Sequence, residues 1–231
     1  AVTIHHLLTH TSGIPDFTRF ADYERTKAQP STPEQTIDRF RDAELDFEPG
    51  TKWSYSNSGY ILLGRIIEKA SGQRYEDFLQ ANVFEPLGMA DSGYDHNRDD
   101  LAVGYAGGRE ASHIDMSIPY AAGGLYSTAE DLLRWDRGLD AGLLLPAEAQ
   151  TVLYTTHAAI PDSGGMGYGY GWEVGEEYGQ PVVSHMGGIE GFSAGITRLL
   201  GDHTLIVVLS NDQQTNPRAV TRAVMQALYA Q

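Results

Sequence analysis

Two short patterns in the chain carry side chains that could act on a carbonyl group. Tyr55-Ser56-Asn57 places a phenol and a carboxamide just before an apolar stretch with helical spacing, and His185-Met186-Gly187 follows about 130 positions later. A neighbouring cation or imidazole lowers the pKa of a phenol from about 10 toward that of a useful base. The two patterns therefore indicate part of a site for serine acylation.

The nucleophile of such a site is not found among the 231 residues. The expected pattern is Ser-x-x-Lys, and a lysine three residues on is lacking after each candidate, namely Ser12, Ser54, Ser56, Ser127 and Ser193. No nucleophile elbow is expected either. The sequence thus predicts a site without its nucleophile.

Five motifs in a fixed order resemble one known superfamily. They are Leu7–Ile14, Tyr55–Tyr60, Glu85–Met89, Gly123–Thr128 and His185–Gly188. Together they closely resemble the serine β-lactamase-related superfamily, which comprises class C β-lactamases, D-Ala-D-Ala carboxypeptidases and related esterases. In that superfamily the Ser-x-x-Lys helix precedes the first motif, so the resemblance implies that this chain begins just after it.

The resemblance assigns roles to the Tyr-x-Asn pattern. Tyr55 is implied to be the base or proton shuttle, and Asn57 to bind the substrate's carbonyl side chain and the catalytic lysine. Each has a simpler alternative. Tyr55 could pack on Trp53 at a helix start, and Asn57 could be a plain N-cap, because asparagine is among the best capping residues.

The second pattern occupies the slot where β-lactamases carry Lys-Thr-Gly. Histidine in this slot resembles the peptidases and esterases more than the β-lactamases, so His185 is implied to assist catalysis. Gly187 and Gly188 are implied to form the oxyanion and substrate-binding backbone, with the Gly188 N–H as donor. Asn216 aligns near the substrate carboxylate, although capping a helix before Pro217 is the alternative.

The fold implied is α+β, like that of β-lactamases and penicillin-binding proteins. We expect a helical region, an antiparallel sheet and a flanking C-terminal helix, with the family's N-terminal strands and nucleophile helix absent. Residues 1–165 should be mainly helix and loop and carry Tyr-x-Asn, while residues 166–231 should form strands, the His-x-Gly pattern and the last helix. Both regions would belong to one catalytic domain.

Local signals place individual elements. Thr32, Pro33 and Gln35 predict a capping box at a helix start, and Ser127 with Glu130 predicts another. A helix is expected from Ser58 to Ala70, with Gly72 at its left-handed end. The remaining expectations are a helix over 75–83, a short one after Pro146, strands over 170–174, 193–199 and 204–209, and a last helix from Asn216-Pro217.

Composition limits the partners. The net charge of −15 repels phosphate backbones and anionic lipids, so nucleic acid is not expected, and no apolar run is long enough for a membrane span. Cysteine is absent, which excludes thiolate chemistry. His6 and His10 share a helical spacing, but no third ligand is indicated, so we expect no metal and no cofactor. The resemblance favours an extracytoplasmic location.

Three hypotheses follow. The first is a serine hydrolase acting on a small ester, amide or D-amino-acid peptide through an acyl-enzyme, with its nucleophile outside this chain. The second is a non-catalytic relative that binds a ligand or partner in the same groove, since covalent catalysis needs a nucleophile. The third is an incomplete domain that self-associates or is complemented by the missing N-terminal segment.

Overall fold

The computed structural model describes residues 1–229, which group into two compact units that interleave along the chain. Unit 1 comprises residues 1–99 and 113–127, and unit 2 comprises residues 100–112 together with the chain from Thr128 onward. This grouping by contacts differs from the change of pattern expected near residue 165, which stays a prediction.

Unit 1 is mainly helical. Its α-helices are α1 (Ile4–Leu8), α2 (Tyr23–Thr26), α3 (Pro33–Asp38), α4 (Asn57–Ser71), α5 (Tyr75–Leu79) and α6 (Glu85–Leu87). Single 3₁₀ turns cover Phe17–Arg19 and Tyr120–Ala122. The strands β1 (Gly93–Tyr94) and β4 (Leu125–Tyr126) pair antiparallel.

Short-range signals predicted some of these helices. The Thr32 hydroxyl accepts from the Gln35 backbone N–H, and the Gln35 side chain accepts from the Thr32 N–H, so the predicted capping box is confirmed. The predicted central helix is confirmed as α4, which ends at Gly72 with a φ of 73°. The helix expected over 75–83 is shorter, because Gln80–Phe84 forms a π-helical turn.

One predicted cap lies one residue too early. The helix α7 (Ala129–Asp140) begins after Thr128, whose hydroxyl accepts from the Asp131 backbone N–H at 3.2 Å. The Ser127 hydroxyl lies instead 2.7 Å from that of Ser92. A contact between residues 35 positions apart therefore displaced the expected cap.

Unit 2 is built on a six-stranded antiparallel sheet of order β10-β9-β8-β7-β6-β5. The strands are β5 (Ala158–Ala159), β6 (Gly167–Tyr168), β7 (Glu173–Glu177), β8 (Gln180–Ile189), β9 (Phe192–Leu199) and β10 (Thr204–Ser210). The short strands β2 (Tyr105–Ala106) and β3 (Arg109–Glu110) form a separate pair, and α7 is followed by α8 (Ala147–Leu153) and α9 (Pro217–Tyr229). The α+β class is confirmed.

The last helix covers one face of the sheet. Met225 of α9 packs with Leu199 and Ile206 in a buried cluster, since the apolar stripe of an amphipathic helix needs an apolar strand face to bury it. The strand β8, which carries the second sequence pattern, lies between β7 and β9 in the sheet.

Candidate active site

Tyr55 lies against a buried histidine. The Tyr55 and His10 ring centroids are 4.3 Å apart, and the Tyr60 ring stacks on His10 at 5.1 Å. The Ser56 backbone N–H donates to His10 Nδ1 at 3.1 Å, so the ring proton of neutral His10 is on Nε2. His10 therefore fixes the backbone between the phenol and the carboxamide.

The loop that supplies His10 is constrained by its own backbone. His10 is 2% exposed and has a φ of 56°, in the left-handed region that few non-glycine residues adopt. Gly13 has a φ of 74°, and a Cβ there would lie 2.1 Å from the Phe47 carbonyl oxygen. Only glycine fits at that position.

Asn57 is the first residue of α4 and is held by an acidic neighbour. Its Nδ2 donates to both carboxylate oxygens of Asp16, at 3.2 and 3.4 Å. Ser56 occupies the N-cap position with an extended backbone, and its side chain makes no capping bond. The alternative that Asn57 is a plain N-cap is therefore wrong.

His185 lies on β8 and meets a second buried ring. Its Nε2 is 3.0 Å from the hydroxyl of Tyr168, a residue of β6. Burial lowers the pKa of His185 below its ordinary value, although Glu173 acts in the opposite direction. The lowered pKa favours the neutral imidazole, in which one ring nitrogen donates a hydrogen bond and the other accepts one.

Two tight hairpins determine the direction in which the backbone N–H of Gly188 points from β8. Tyr178-Gly179 joins β7 to β8, and Glu190-Gly191 joins β8 to β9. Residues that flank a two-residue turn exchange hydrogen bonds, and along an antiparallel ladder such pairs alternate with unbonded pairs. Both hairpins therefore direct the N–H groups of the even-numbered residues of β8 away from β9.

This edge of β8 is open at its far end. The pairing with β7 stops where Glu173 lies opposite Ser184, so the Gly188 N–H points to an edge without a paired strand in the described sheet. A Cβ at Gly188 would meet nothing within 4 Å, and one at Gly187 would make only an ordinary contact with Ala194 at 3.7 Å. Packing therefore does not demand glycine at either position.

The other two residues of interest lie toward α9. Met186 lines a small cleft of about 40 Å³ between the sheet and α9, together with Thr197 and Thr221. Asn216 caps α9, because its Oδ1 accepts from the Ala219 backbone N–H at 3.1 Å. Substrate binding by Asn216 stays a prediction.

The six predicted site residues are divided between the units. Tyr55 and Asn57 belong to unit 1. His185, Gly187, Gly188 and Asn216 belong to unit 2.

The chain matches one protein family from end to end. The sequence model of the beta-lactamase family covers residues 1–231. This chain belongs to the beta-lactamase family. The superfamily predicted from the five motifs is thus confirmed.

Relatives of this family member include hydrolases. Penicillin-binding protein 4* of Bacillus subtilis (strain 168) is 30% identical over 257 residues, which are 100% of this chain and 56% of the relative. A D-stereospecific amidohydrolase from Streptomyces sp. has a TM-score of 0.86 at 28% identity, over 96% of this chain and 72% of that one. An octameric penicillin-binding protein homologue from Pyrococcus abyssi has a TM-score of 0.85 at 31% identity, over 100% of this chain and 56% of that one.

The chain spans about half the length of the curated relatives it matches. The absence of the nucleophile segment from the protein stays a prediction, and so do the roles of the six residues.

The sequence reasoning missed one nucleophile pattern. Residues 191–195, Gly-Phe-Ser-Ala-Gly, match the Gly-x-Ser-x-Gly of nucleophile elbows. An elbow needs a sharp turn from a strand into a helix, but Ser193 lies within β9, and its buried hydroxyl donates to the Gln213 carbonyl at 3.1 Å. Ser193 is therefore not an exposed nucleophile in this structure.

The reasoning also missed the partners that orient the site residues. Asp16 holds Asn57 across 41 positions, and Tyr168 contacts His185 across 17. The glycine- and tyrosine-rich stretch over 164–171 was the only sequence signal for Tyr168.

Within residues 1–229, no group of three or more His, Cys, Asp or Glu side chains is arranged to hold a metal ion. His6 instead takes part in the capping of α1 with Thr3. Among the helices described, none combines the length and apolar character that crossing a bilayer requires.

Proposed function

We propose that the whole protein is a serine hydrolase that acts on a small ester, amide or D-amino-acid peptide through an acyl-enzyme. Membership of the beta-lactamase family supports this reaction class, and the relatives named as a penicillin-binding protein and a D-stereospecific amidohydrolase support the substrate class. The nucleophile of the proposed reaction is a serine that these 231 residues do not supply as Ser-x-x-Lys.

The observation that carries the proposal is the open edge of β8. Acylation of a carbonyl group produces an oxyanion, which a fixed backbone N–H stabilises, and one such donor is typically worth about 3 kcal/mol. The Gly188 N–H is directed to that edge, and the lack of a side chain at Gly187 and Gly188 leaves room for a substrate carbonyl.

The proposed proton transfers use Tyr55 and His185. Tyr55, fixed by its contact with His10, takes the proton of the nucleophilic hydroxyl and returns it to the leaving group. His185 assists as a neutral imidazole, since burial lowers its pKa. Asn57 orients the acyl group of the substrate.

The test uses the whole protein with D-alanine p-nitroanilide, p-nitrophenyl acetate and a fluorophosphonate probe. We expect hydrolysis and covalent labelling. Tyr55→Phe should lower kcat/KM by about 10² to 10⁴, as expected for the loss of a general base. Tyr178→Phe, which removes an exposed hydroxyl from the β7–β8 turn, is the matched control and should leave the rate unchanged.

Other outcomes favour the second hypothesis. A whole protein that forms no adduct and hydrolyses none of these compounds, but binds D-alanine amide through Tyr55, would be a non-catalytic relative.

Self-association also stays a prediction, which light scattering on the whole protein checks.

A further inference from the structure

A small cleft lies between the sheet and α9 in unit 2. It has a volume of about 40 Å³, and its lining includes Ser184 and Met186 of β8, Thr197 of β9 and residues of α9. Successive side chains of a strand point to opposite faces, so Ser184 and Met186 face α9, and His185 between them faces the other side of the sheet. One water needs about 10–15 Å³ of such space, and the cleft therefore holds roughly three atoms of the size of oxygen.

Two buried hydroxyl groups of the cleft have no hydrogen-bond partner. Thr197 is 3% exposed and Thr221 is 5% exposed, and neither Oγ1 is hydrogen-bonded to any atom of residues 1–229. A threonine in a helix often donates to the carbonyl four residues earlier, as Thr151 does with Ala147 at 3.0 Å. Thr221 makes no such bond. Since a buried polar group without a partner is unfavourable, a guest that accepts from both hydroxyls is stabilised here.

The charged side chains at the cleft determine which kind of guest is favoured. Arg218 is occupied, because its guanidinium donates to both carboxylate oxygens of Glu173. Arg222 also lines the cleft and is exposed, and it forms no ion pair with a described residue, although the chain carries 31 acidic residues against 16 basic ones. Glu177 is the one carboxylate in the lining, and among residues 1–229 it forms no ion pair with either arginine. The guanidinium of Arg222 is therefore available to an anion.

We propose that this cleft binds a small oxyanion. The hydroxyls of Thr197 and Thr221 donate to it from the sheet and from α9, and the guanidinium of Arg222 supplies the opposite charge. Hydroxyl and guanidinium groups donate readily to phosphate and carboxylate oxygens. The volume matches an anion of the size of phosphate or acetate. This binding requires no hydrolysis, so the site goes beyond the proposed function and stands independently of it.

The experiment titrates the whole protein with inorganic phosphate and, separately, with acetate. Isothermal titration calorimetry is used at an ionic strength held constant with sodium chloride, and we expect saturable binding of one equivalent. The two arms distinguish a tetrahedral oxyanion from a planar one. Thr197→Val and Thr221→Val keep the size of the side chain, and each should raise the Kd by about tenfold or more, the effect of one hydrogen bond to a charged group. Arg222→Gln should raise it to a similar extent.

Matched variants test whether the effect is confined to the cleft. Thr151→Val removes an exposed threonine hydroxyl from α8, and Arg137→Gln removes an exposed positive charge from α7, so both should leave the Kd unchanged. Glu177→Gln removes a like charge from the cleft, and it should lower the Kd by up to about fivefold.

Three results would overturn the proposal. Wild-type protein that binds neither anion has a cleft that holds only water. An unchanged Kd in folded Thr197→Val and Thr221→Val, with folding checked by far-UV circular dichroism, would place the anion elsewhere. A higher Kd in Glu177→Gln would show that the guest is not an anion. If one threonine variant does not fold, the other and Arg222→Gln decide between these results.

Discussion

Replacing His10 with phenylalanine removes one hydrogen-bond acceptor from the interior of unit 1 and keeps a ring of similar size. The acceptor is His10 Nδ1, which receives the Ser56 backbone N–H at 3.1 Å. Ser56 is only 3% exposed, so water cannot easily replace the lost acceptor. The contacts of the ring with Tyr55 and Tyr60 are largely retained in this variant.

The expected cost has two parts. A buried N–H left without a partner costs about 1–3 kcal/mol. A left-handed backbone costs a bulky side chain about 1 kcal/mol more than it costs histidine, which is several-fold enriched there. His10→Phe should therefore lower the free energy of unfolding by about 2–4 kcal/mol.

The measurement is urea unfolding of the whole protein, followed by far-UV circular dichroism. His10→Asn is the matched variant, because asparagine keeps an acceptor near the position of Nδ1 and tolerates the left-handed backbone, but it loses the ring. The free energy of unfolding of His10→Asn should fall by about 1–3 kcal/mol, because this variant lacks the two ring contacts. If the free energy of unfolding of His10→Phe lies within about 0.5 kcal/mol of the wild-type value, the assigned role of the Ser56 hydrogen bond is refuted, because substitutions on the surface usually change that free energy by no more than this amount.

Three further predictions concern unit 2. Burial lowers the pKa of His185, so as the pH falls below 6.5 this histidine takes up its proton in the unfolded state before it does so in the folded state. The free energy of unfolding should therefore decrease as the pH falls, and level off below the pKa of the folded state. In urea titrations at a series of pH values, His185→Gln should show a smaller decrease. Arg198 is 4% exposed and pairs with Asp136 and, at 2.5 Å, with Asp140. Arg198→Met should therefore lower the free energy of unfolding by about 3–5 kcal/mol at pH 7.5. The loss should be smaller at pH 5, because burial raises the pKa of Asp136 and protonation of this carboxylate removes the uncompensated charge. An equal loss at both pH values would contradict this. Asn216→Ala should lower stability by about 1 kcal/mol through loss of the α9 cap, and an unchanged midpoint of thermal unfolding would show that the cap contributes nothing.

Several elements could be predicted from the sequence because their interactions are local. The Thr32–Gln35 capping box and the glycine at position 72 depend on groups within about one helical turn. The five ordered motifs were likewise sufficient to identify the family. The cap of α7 was misplaced by one residue, because the competing partner of Ser127 lies far away along the chain.

The sequence by itself determined which chemical groups this protein carries and which helices form around them, because residue types and short-range hydrogen bonds are written along the chain. The tertiary structure alone decided how those groups are oriented. Asp16 fixes the amide of Asn57, Tyr168 meets His185, and two hairpins direct the N–H of Gly188 to an open edge. These contacts join residues that folding brings together, and a change of one residue in strand register would reverse the direction of every N–H along β8.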